Sequence, residues 1–195
     1  GLHLYAGPHT FRKAARFVVE TMKVAMTQIE EALGHDLEVL NLGGGLEENW
    51  PDLNHDFDGY RALLGELPSR CRLIHEFGRA IFSDCGIFAV RVQQVKHVMG
   101  QPYAICDGGM AQAFLLAQTE HMMRKYRQPR LLGRAGDVRE DGLATIVCGS
   151  TCSRDDVIGK IPAEVKAGDV LIFEDCGAYT QTYSMNNFLQ LGEAG

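Results

Sequence analysis

Residues 37–45 read Leu-Glu-Val-Leu-Asn-Leu-Gly-Gly-Gly, a short apolar strand running straight into three glycines, and the first half of the chain falls into place around them. Upstream, Thr10 is placed to cap a helix. Apolar residues then recur at helical spacing at Phe11, Val18, Met22, Ala25, Ile29 and Leu33, with Gly34 as the stop. Before that helix, Gly1–Ala6 alternates apolar and polar residues like a strand, and Gly7-Pro8 breaks it. Downstream, residues 56–67 predict a second helix and Arg72–His75 a third strand. Strand, helix, strand, helix, strand is the rhythm of a parallel sheet with helical crossovers.

Beyond Arg79 that rhythm stops. Strands are predicted at Gly86–Val98, Tyr103–Cys106, Ala144–Cys148 and Val170–Phe173, separated by turn signals such as Gly100-Gln101-Pro102, Glu140-Asp141-Gly142 and Ala167-Gly168-Asp169. Residues 118–139 read as a long excursion. The expected organisation is therefore α/β over residues 1–82, followed by a mostly antiparallel β domain over residues 83–195.

Composition narrows the function classes. The chain has 195 residues, 46% hydrophobic and 23% charged, enough apolar side chains for a sizeable core. A complete (β/α)8 barrel takes about 250 residues, so a whole barrel plus a second domain does not fit. Nineteen Lys and Arg against 25 Asp and Glu give a net charge of −6, which argues against nucleic acid as a partner. No apolar run is long enough to span a membrane, and the N-terminus lacks the order of a signal peptide. Gly1 stands where an initiator Met is expected, which is read as a processed, trimmed or partial chain. The six cysteines include no C-x-x-C pair and are read as reduced thiols of a cytoplasmic protein; Cys148 and Cys152 find no His at metal-ligand spacing.

Four polar stretches stand out as chemistry. Gly43, Gly44 and Gly45 let the backbone approach a ligand and aim several N–H groups at one point, as a phosphate requires, although three glycines equally serve a sharp turn. Glu76-Phe-Gly-Arg79 offers a carboxylate for a protonated ring nitrogen and a guanidinium for phosphate, or else a local ion pair. Cys148-Gly-Ser-Thr-Cys152-Ser-Arg-Asp-Asp156 is a polar loop between two β segments, suited to a site or to a hairpin-like turn. Tyr179, six residues past Phe173, puts a hydroxyl where it can meet an anion or pack in a core.

In this order, these stretches resemble the fold-type III pyridoxal-phosphate decarboxylases, the ornithine/diaminopimelate decarboxylase family. The resemblance runs from GLHLYAG (1–7) through LNLGGGL (40–46), HEFGRAIFSDCGIFAVRVQQVK (75–96), ICDGGM (105–110) and CGSTCSRDDVIG (148–159) to AGDVLIFEDCGAYT (167–180) and MNNF (185–188). It implies the later part of a pyridoxal 5'-phosphate-binding (β/α)8 barrel followed by a β domain, in a homodimer with shared active sites. It implies decarboxylation of an amino acid through an external aldimine and a quinonoid. Gly43, Gly44 and Gly45 match the family's glycine loop around the cofactor phosphate, Arg79 its phosphate-binding arginine, and Tyr179 its phosphate-contacting tyrosine. Glu76 matches the acid that pairs with the pyridine nitrogen. Cys152 matches the cysteine that the partner subunit supplies to protonate the substrate carbon. Asp156 matches the second acid of the cysteine loop and is expected at the substrate.

Three departures qualify the match. The family's Schiff-base lysine lies on the first barrel strand, ahead of the segment Gly1 matches, and none of Lys13, Lys23, Lys96, Lys125, Lys160 or Lys166 stands in its context. The family's ring-stacking His is replaced by Tyr5, in His3-Leu-Tyr5-Ala-Gly7. After the cysteine, where a diamino acid's distal ammonium calls for a carboxylate, come Ser153 and Arg154. Asp155 can neutralise Arg154 or take over amine binding; with the first, the expected substrate is an amino acid with a neutral or anionic far end, conjugated or carrier-linked. The rival reading is an inactive homologue that regulates an active enzyme; Glu76, Arg79 and Cys152 count against it.

Overall fold

In the computed structural model, residues 1–7, 10–117, 128–133 and 141–185 are described. The chain divides into two compact units, Gly1–Ser83 and Asp84–Gly195.

The first unit is built on three parallel strands, β1 (Leu2–His3), β2 (Val39–Asn41) and β3 (Arg72–Ile74), in the order β1-β2-β3. The first helix is broken in two. A turn, α1 (Thr10–Lys13), closes with the Ala14 N–H donating to the Thr10 carbonyl, and α2 (Ala15–Leu33) begins at Ala14, whose φ of −140° is not helical. Thr10, expected as a cap, instead lies inside α1, with its hydroxyl donating to the Gly7 carbonyl. Val18, Val19, Met22 and Met26 form the buried stripe of α2 and pack with Leu37, Leu40 and Leu42. Gly34 ends the helix in the left-handed region, φ 70°, with its N–H on the Glu30 carbonyl. The Glu30 carboxylate then accepts from the Leu37 N–H (2.7 Å) and from Arg70 (2.6 Å), which hold it below the usual carboxylate range. Between β2 and β3 lie a 3-10 turn (Trp50–Asp52) and α3 (Phe57–Leu64), whose cap Asp56 accepts from the Gly59 N–H at 2.8 Å. A short helix, α4 (Gly78–Phe82), follows β3.

The second unit is a six-stranded sheet. Its strands are β4 (Phe88–Val98), β5 (Gln101–Cys106), β6 (Arg130–Leu131), β7 (Thr145–Cys148), β8 (Val157–Ile161) and β9 (Val170–Phe173), ordered β6-β9-β4-β5-β7-β8. The long β4 pairs with β9 through Phe88–Arg91 and with β5 from Val92 onward, with an irregularity between Val92 and Gln94. Phe88, Val90 and Val92 alternate inward and join Ala104, Val147, Ile158, Leu171 and Phe173 in one core. All pairs are antiparallel except β5 with β7, which is parallel. β8 was not expected, because Gly159 and Lys160 interrupt its apolar pattern. A one-turn helix, α5 (Phe114–Ala117), precedes the expected excursion. That excursion lies outside the described residues except at 128–133, where β6 forms; Pro8, Lys125 and the last three residues of MNNF also lie outside them. Among the described residues, no helix is long and apolar enough to cross a membrane.

Candidate active site

Because β1, β2 and β3 are parallel, the segments that follow them leave from one edge of the sheet. Ligands of open or closed parallel sheets bind at that carboxyl edge. Here it carries Tyr5, the three glycines, Glu76 and Arg79.

The glycine segment is wedged between its neighbours. A Cβ on Gly43 would stand 2.9 Å from the Leu4 carbonyl oxygen and 3.2 Å from the Tyr5 ring; one on Gly44 would stand 2.7 Å from the Glu76 carbonyl oxygen. Gly43 and Gly45 also have φ of 68° and 107°, which side chains rarely adopt. Gly43 is the pivot of this edge. Its N–H donates to Asn41 Oδ1 (2.9 Å), and its carbonyl accepts from the Glu76 N–H (2.9 Å). The N–H expected to face a phosphate at Gly43 is thus already engaged. Among the described residues, those of Gly44 and Gly45 have no acceptor.

Asn41 organises the carboxylate as well. Its Nδ2 donates to Glu76 Oε1 at 2.6 Å, so one amide side chain fixes both the glycine pivot and the acid. Asn41 was missed in the sequence, where its only signal is a polar residue at the last position of an apolar strand. Glu76 and Arg79 do not form the local ion pair that their spacing allowed. No ion pair joins them among the described residues, Glu76 is exposed, and Arg79 sits half-buried in the first turn of α4. Beneath Glu76, His75 stacks on Phe77 (4.7 Å, 14°). Burial lowers its pKa, against a smaller opposing effect from a hydrogen bond with the Gly43 backbone. The Tyr60 hydroxyl lies 3.5 Å from His75 Nε2, and burial raises that phenol to about 12. Tyr5 is exposed, with its ring against Gly43.

In the second unit, the cysteine loop hangs from one carboxylate. Asp156 is 2% exposed; its Oδ1 accepts from the Met110 N–H (2.7 Å) and its Oδ2 from the Thr151 N–H (3.0 Å). A Cβ on Gly109 or Gly149 would collide with that carboxylate, so two glycines make room for it. Asp156 therefore holds the loop from inside and does not face outward as a substrate contact would. The Ser153 hydroxyl accepts from the Asp155 N–H (3.2 Å), and its carbonyl from the Asp156 N–H (3.1 Å), within the loop's own turn. Arg154 is almost wholly exposed, its Nε 3.5 Å from Asp155. Cys152 is exposed, whereas burial pushes Cys148 up to about 11 and Cys106 up to about 12. Cys152 is thus the accessible thiol of this loop. Tyr179, beyond β9, is exposed and holds φ 63°, a left-handed conformation that is strained for an aromatic residue.

A segment in which any side chain would strike backbone, two N–H groups without an acceptor, a nearby half-buried guanidinium and a carboxylate held by an amide together suit a phosphate joined to a protonated ring. The chain belongs to the pyridoxal-dependent decarboxylases: residues 17–177 match the model of that family's C-terminal sheet domain. It is 32% identical over 168 residues to a diaminopimelate decarboxylase of Haemophilus influenzae, an alignment covering 84% of this chain and 39% of that protein. It is 30% identical over 168 residues to the 2-[(L-alanin-3-ylcarbamoyl)methyl]-2-hydroxybutanedioate decarboxylase of Staphylococcus aureus, covering 78% and 41%. The arginine decarboxylase of Paramecium bursaria Chlorella virus shares the fold, with a TM-score of 0.77 at 22% identity over 99% of this chain and 52% of that one. The chain spans about two-fifths of the length of the curated relatives it matches.

Proposed function

We propose that the whole protein is a pyridoxal-phosphate-dependent decarboxylase of an amino acid whose far end is neutral or anionic, such as a conjugated or carrier-linked one. The observation that carries this reading is the carboxyl edge of the parallel strands, where Asn41 sets Glu76 beside a glycine cradle.

In this reading the Gly44 and Gly45 N–H groups and the Arg79 guanidinium hold the cofactor phosphate, the ligand for which the family resemblance also nominates Tyr179. Gly43 spaces them. Tyr5 offers its ring face to the cofactor ring in place of an imidazole. The Glu76 carboxylate, oriented by Asn41, keeps a proton on the ring nitrogen. When bound, the cofactor supplies the electron sink that makes loss of carbon dioxide feasible. Cys152 donates a proton from Sγ to the substrate carbon. Asp156 positions that thiol through the Thr151 and Met110 amides.

Residues 1–82 are then the later part of the cofactor-binding barrel, and residues 83–195 its β domain. The protein works in the cytoplasm as a homodimer, with each Cys152 serving the partner's cofactor. The substrate reading rests on Ser153 and Arg154, which replace a carboxylate after the cysteine. It is in keeping with the relative named for an alanine unit joined through a carbamoyl group to a hydroxybutanedioate. The test is carbon dioxide release by the whole protein from ornithine, lysine and meso-diaminopimelate against amino acids with acylated or acidic far ends. We expect the second group to be preferred, and Ser153→Asp to shift preference toward the diamino acids. Preference for ornithine or lysine that Ser153→Asp leaves unchanged contradicts the substrate reading; no turnover of any substrate with bound cofactor contradicts the activity.

A further inference from the structure

The loop leaving the glycine cradle carries two ionisable side chains in the interior of the first unit. Glu47 lies two residues past Gly45, and His55 directly precedes the Asp56 cap of α3. Their side chains are 3% and 2% exposed, with His55 Nε2 3.4 Å from Glu47 Oε2. Arg12, on α1, brings its Nε to 3.5 Å from Glu47 Oε1. The imidazole is enclosed by Phe11, edge-on at 5.2 Å and 83°, and by Phe57 at 5.7 Å.

Backbone contacts tie the same loop to the same neighbours. The Phe11 N–H donates to the Gly45 carbonyl (3.3 Å), the Trp50 N–H to the Glu47 carbonyl (3.2 Å), and a Cβ on Gly45 would stand 2.7 Å from Thr10 Cβ. The Trp50 indole N–H reaches the Ala80 carbonyl of α4 at 3.0 Å, linking the loop to the helix that bears Arg79. An acid and an imidazole buried side by side are costlier to desolvate than two apolar side chains filling the same space, and such pairs are best accounted for where they select one geometry. The geometry at stake here is that of the Gly44 and Gly45 amides.

We propose that Glu47 is a positioning residue: bracketed by Arg12 and His55, it locks the loop after the glycines to α1 and α3 and so fixes the phosphate-facing amides. The lock itself is a property of this unit; its meaning for cofactor binding rests on the function proposed above.

The experiment compares wild type, Glu47→Gln, Glu47→Asp and Arg12→Gln in the whole protein. One measurement is hydrogen exchange without cofactor at the Phe11 and Trp50 amides, which donate to the Gly45 and Glu47 carbonyls; the other is pyridoxal phosphate affinity by absorbance titration. Glu47→Gln is expected to lose protection at the Phe11 and Trp50 amides while β2 and α2 keep theirs, and to bind the cofactor about tenfold more weakly, the lower end of what groups that orient ligands are worth. Glu47→Asp, which keeps the charge, should restore part of both effects. Arg12→Gln, which leaves the interior pair in place, should show a smaller loss of the same kind and decides the matter if Glu47→Gln does not fold. Unchanged exchange at the Phe11 and Trp50 amides overturns the lock whatever the affinity does. Lost protection with unchanged affinity overturns the positioning role. If wild type binds no cofactor while Glu47→Gln still loses protection, the lock stands and the proposed function fails.

Discussion

The glycine edge of the first unit and the cysteine loop of the second are built by opposite means. At the glycine edge, backbone packs on backbone: Gly43 and Gly44 touch the carbonyls of Leu4 and Glu76 so closely that no side chain fits. In the cysteine loop, one buried carboxylate gathers the amides of Met110 and Thr151, and the residues it leaves outside, Cys152 and Arg154, are exposed. The first construction fixes the backbone that carries its groups. The second fixes only the loop's path and leaves the outward side chains open to change. A phosphate and a ring nitrogen are the same in every pyridoxal enzyme, so a rigid edge suits them. On the proposed function, this loop meets the far end of the substrate, which differs between enzymes, and anchoring from within lets it carry Ser153 and Arg154 there.

The contrast is easiest to break at Asp156. Asp156→Ala leaves one buried and one half-buried N–H group without their acceptor and should cost about 2–4 kcal/mol of stability, read from the midpoint of denaturant unfolding. A loss under about 0.5 kcal/mol would mean that the loop is not hung from this carboxylate. At the other region, Gly44→Ala sets a methyl 2.7 Å from the Glu76 carbonyl oxygen. It should cost about 1–3 kcal/mol, as overpacking does, and weaken cofactor binding at the same time. Asn41→Leu tests whether one amide holds both the acid and the glycine pivot: with the 2.6 Å bond to Glu76 and the acceptor for the Gly43 N–H both gone, turnover and cofactor affinity should each fall about tenfold, and a fall in turnover alone would mean that the pivot does not depend on Asn41.

How far the site was legible in the sequence follows the same contrast. The strand running into three glycines could be read from residues 37–45 because the apolar run, its length and its stop are all local. The catalytic partner proposed for Asn41 is not local: Glu76 lies 35 residues away, on the next strand's exit, and only the parallel pairing of β2 with β3 brings them together. Asp156 misled for a related reason. In Ser153-Arg-Asp-Asp156 every residue is polar, and nothing in that string tells which carboxylate turns inward toward Gly109 and Gly149. The parallel pairing of β5 with β7 was equally out of reach, since it depends on a crossover between strands whose own patterns suit either direction.

The smallest expected effect concerns pH. Burial lowers the His75 pKa, so the folded unit favours the neutral imidazole beneath Glu76. The unfolded chain, with an ordinary value near 6.5, takes up the proton first. The stability contributed by neutral His75 is therefore fully present above pH of about 6.5 and is lost as pH falls from there through the lower folded value. Unfolding midpoints measured at decreasing pH should show this slope, and His75→Gln should flatten it.

The central claim, that the glycine edge holds a phosphate at one end and steers a ring nitrogen at the other, is tested most directly by pairing Arg79→Ala with Glu76→Gln in the whole protein. Cofactor affinity and turnover at saturating cofactor are measured for both. Arg79→Ala should weaken affinity with most of the turnover retained at saturation, and Glu76→Gln should keep affinity and lose most of the turnover. The same change in both quantities for both variants, or near-full turnover by Glu76→Gln, would contradict the account.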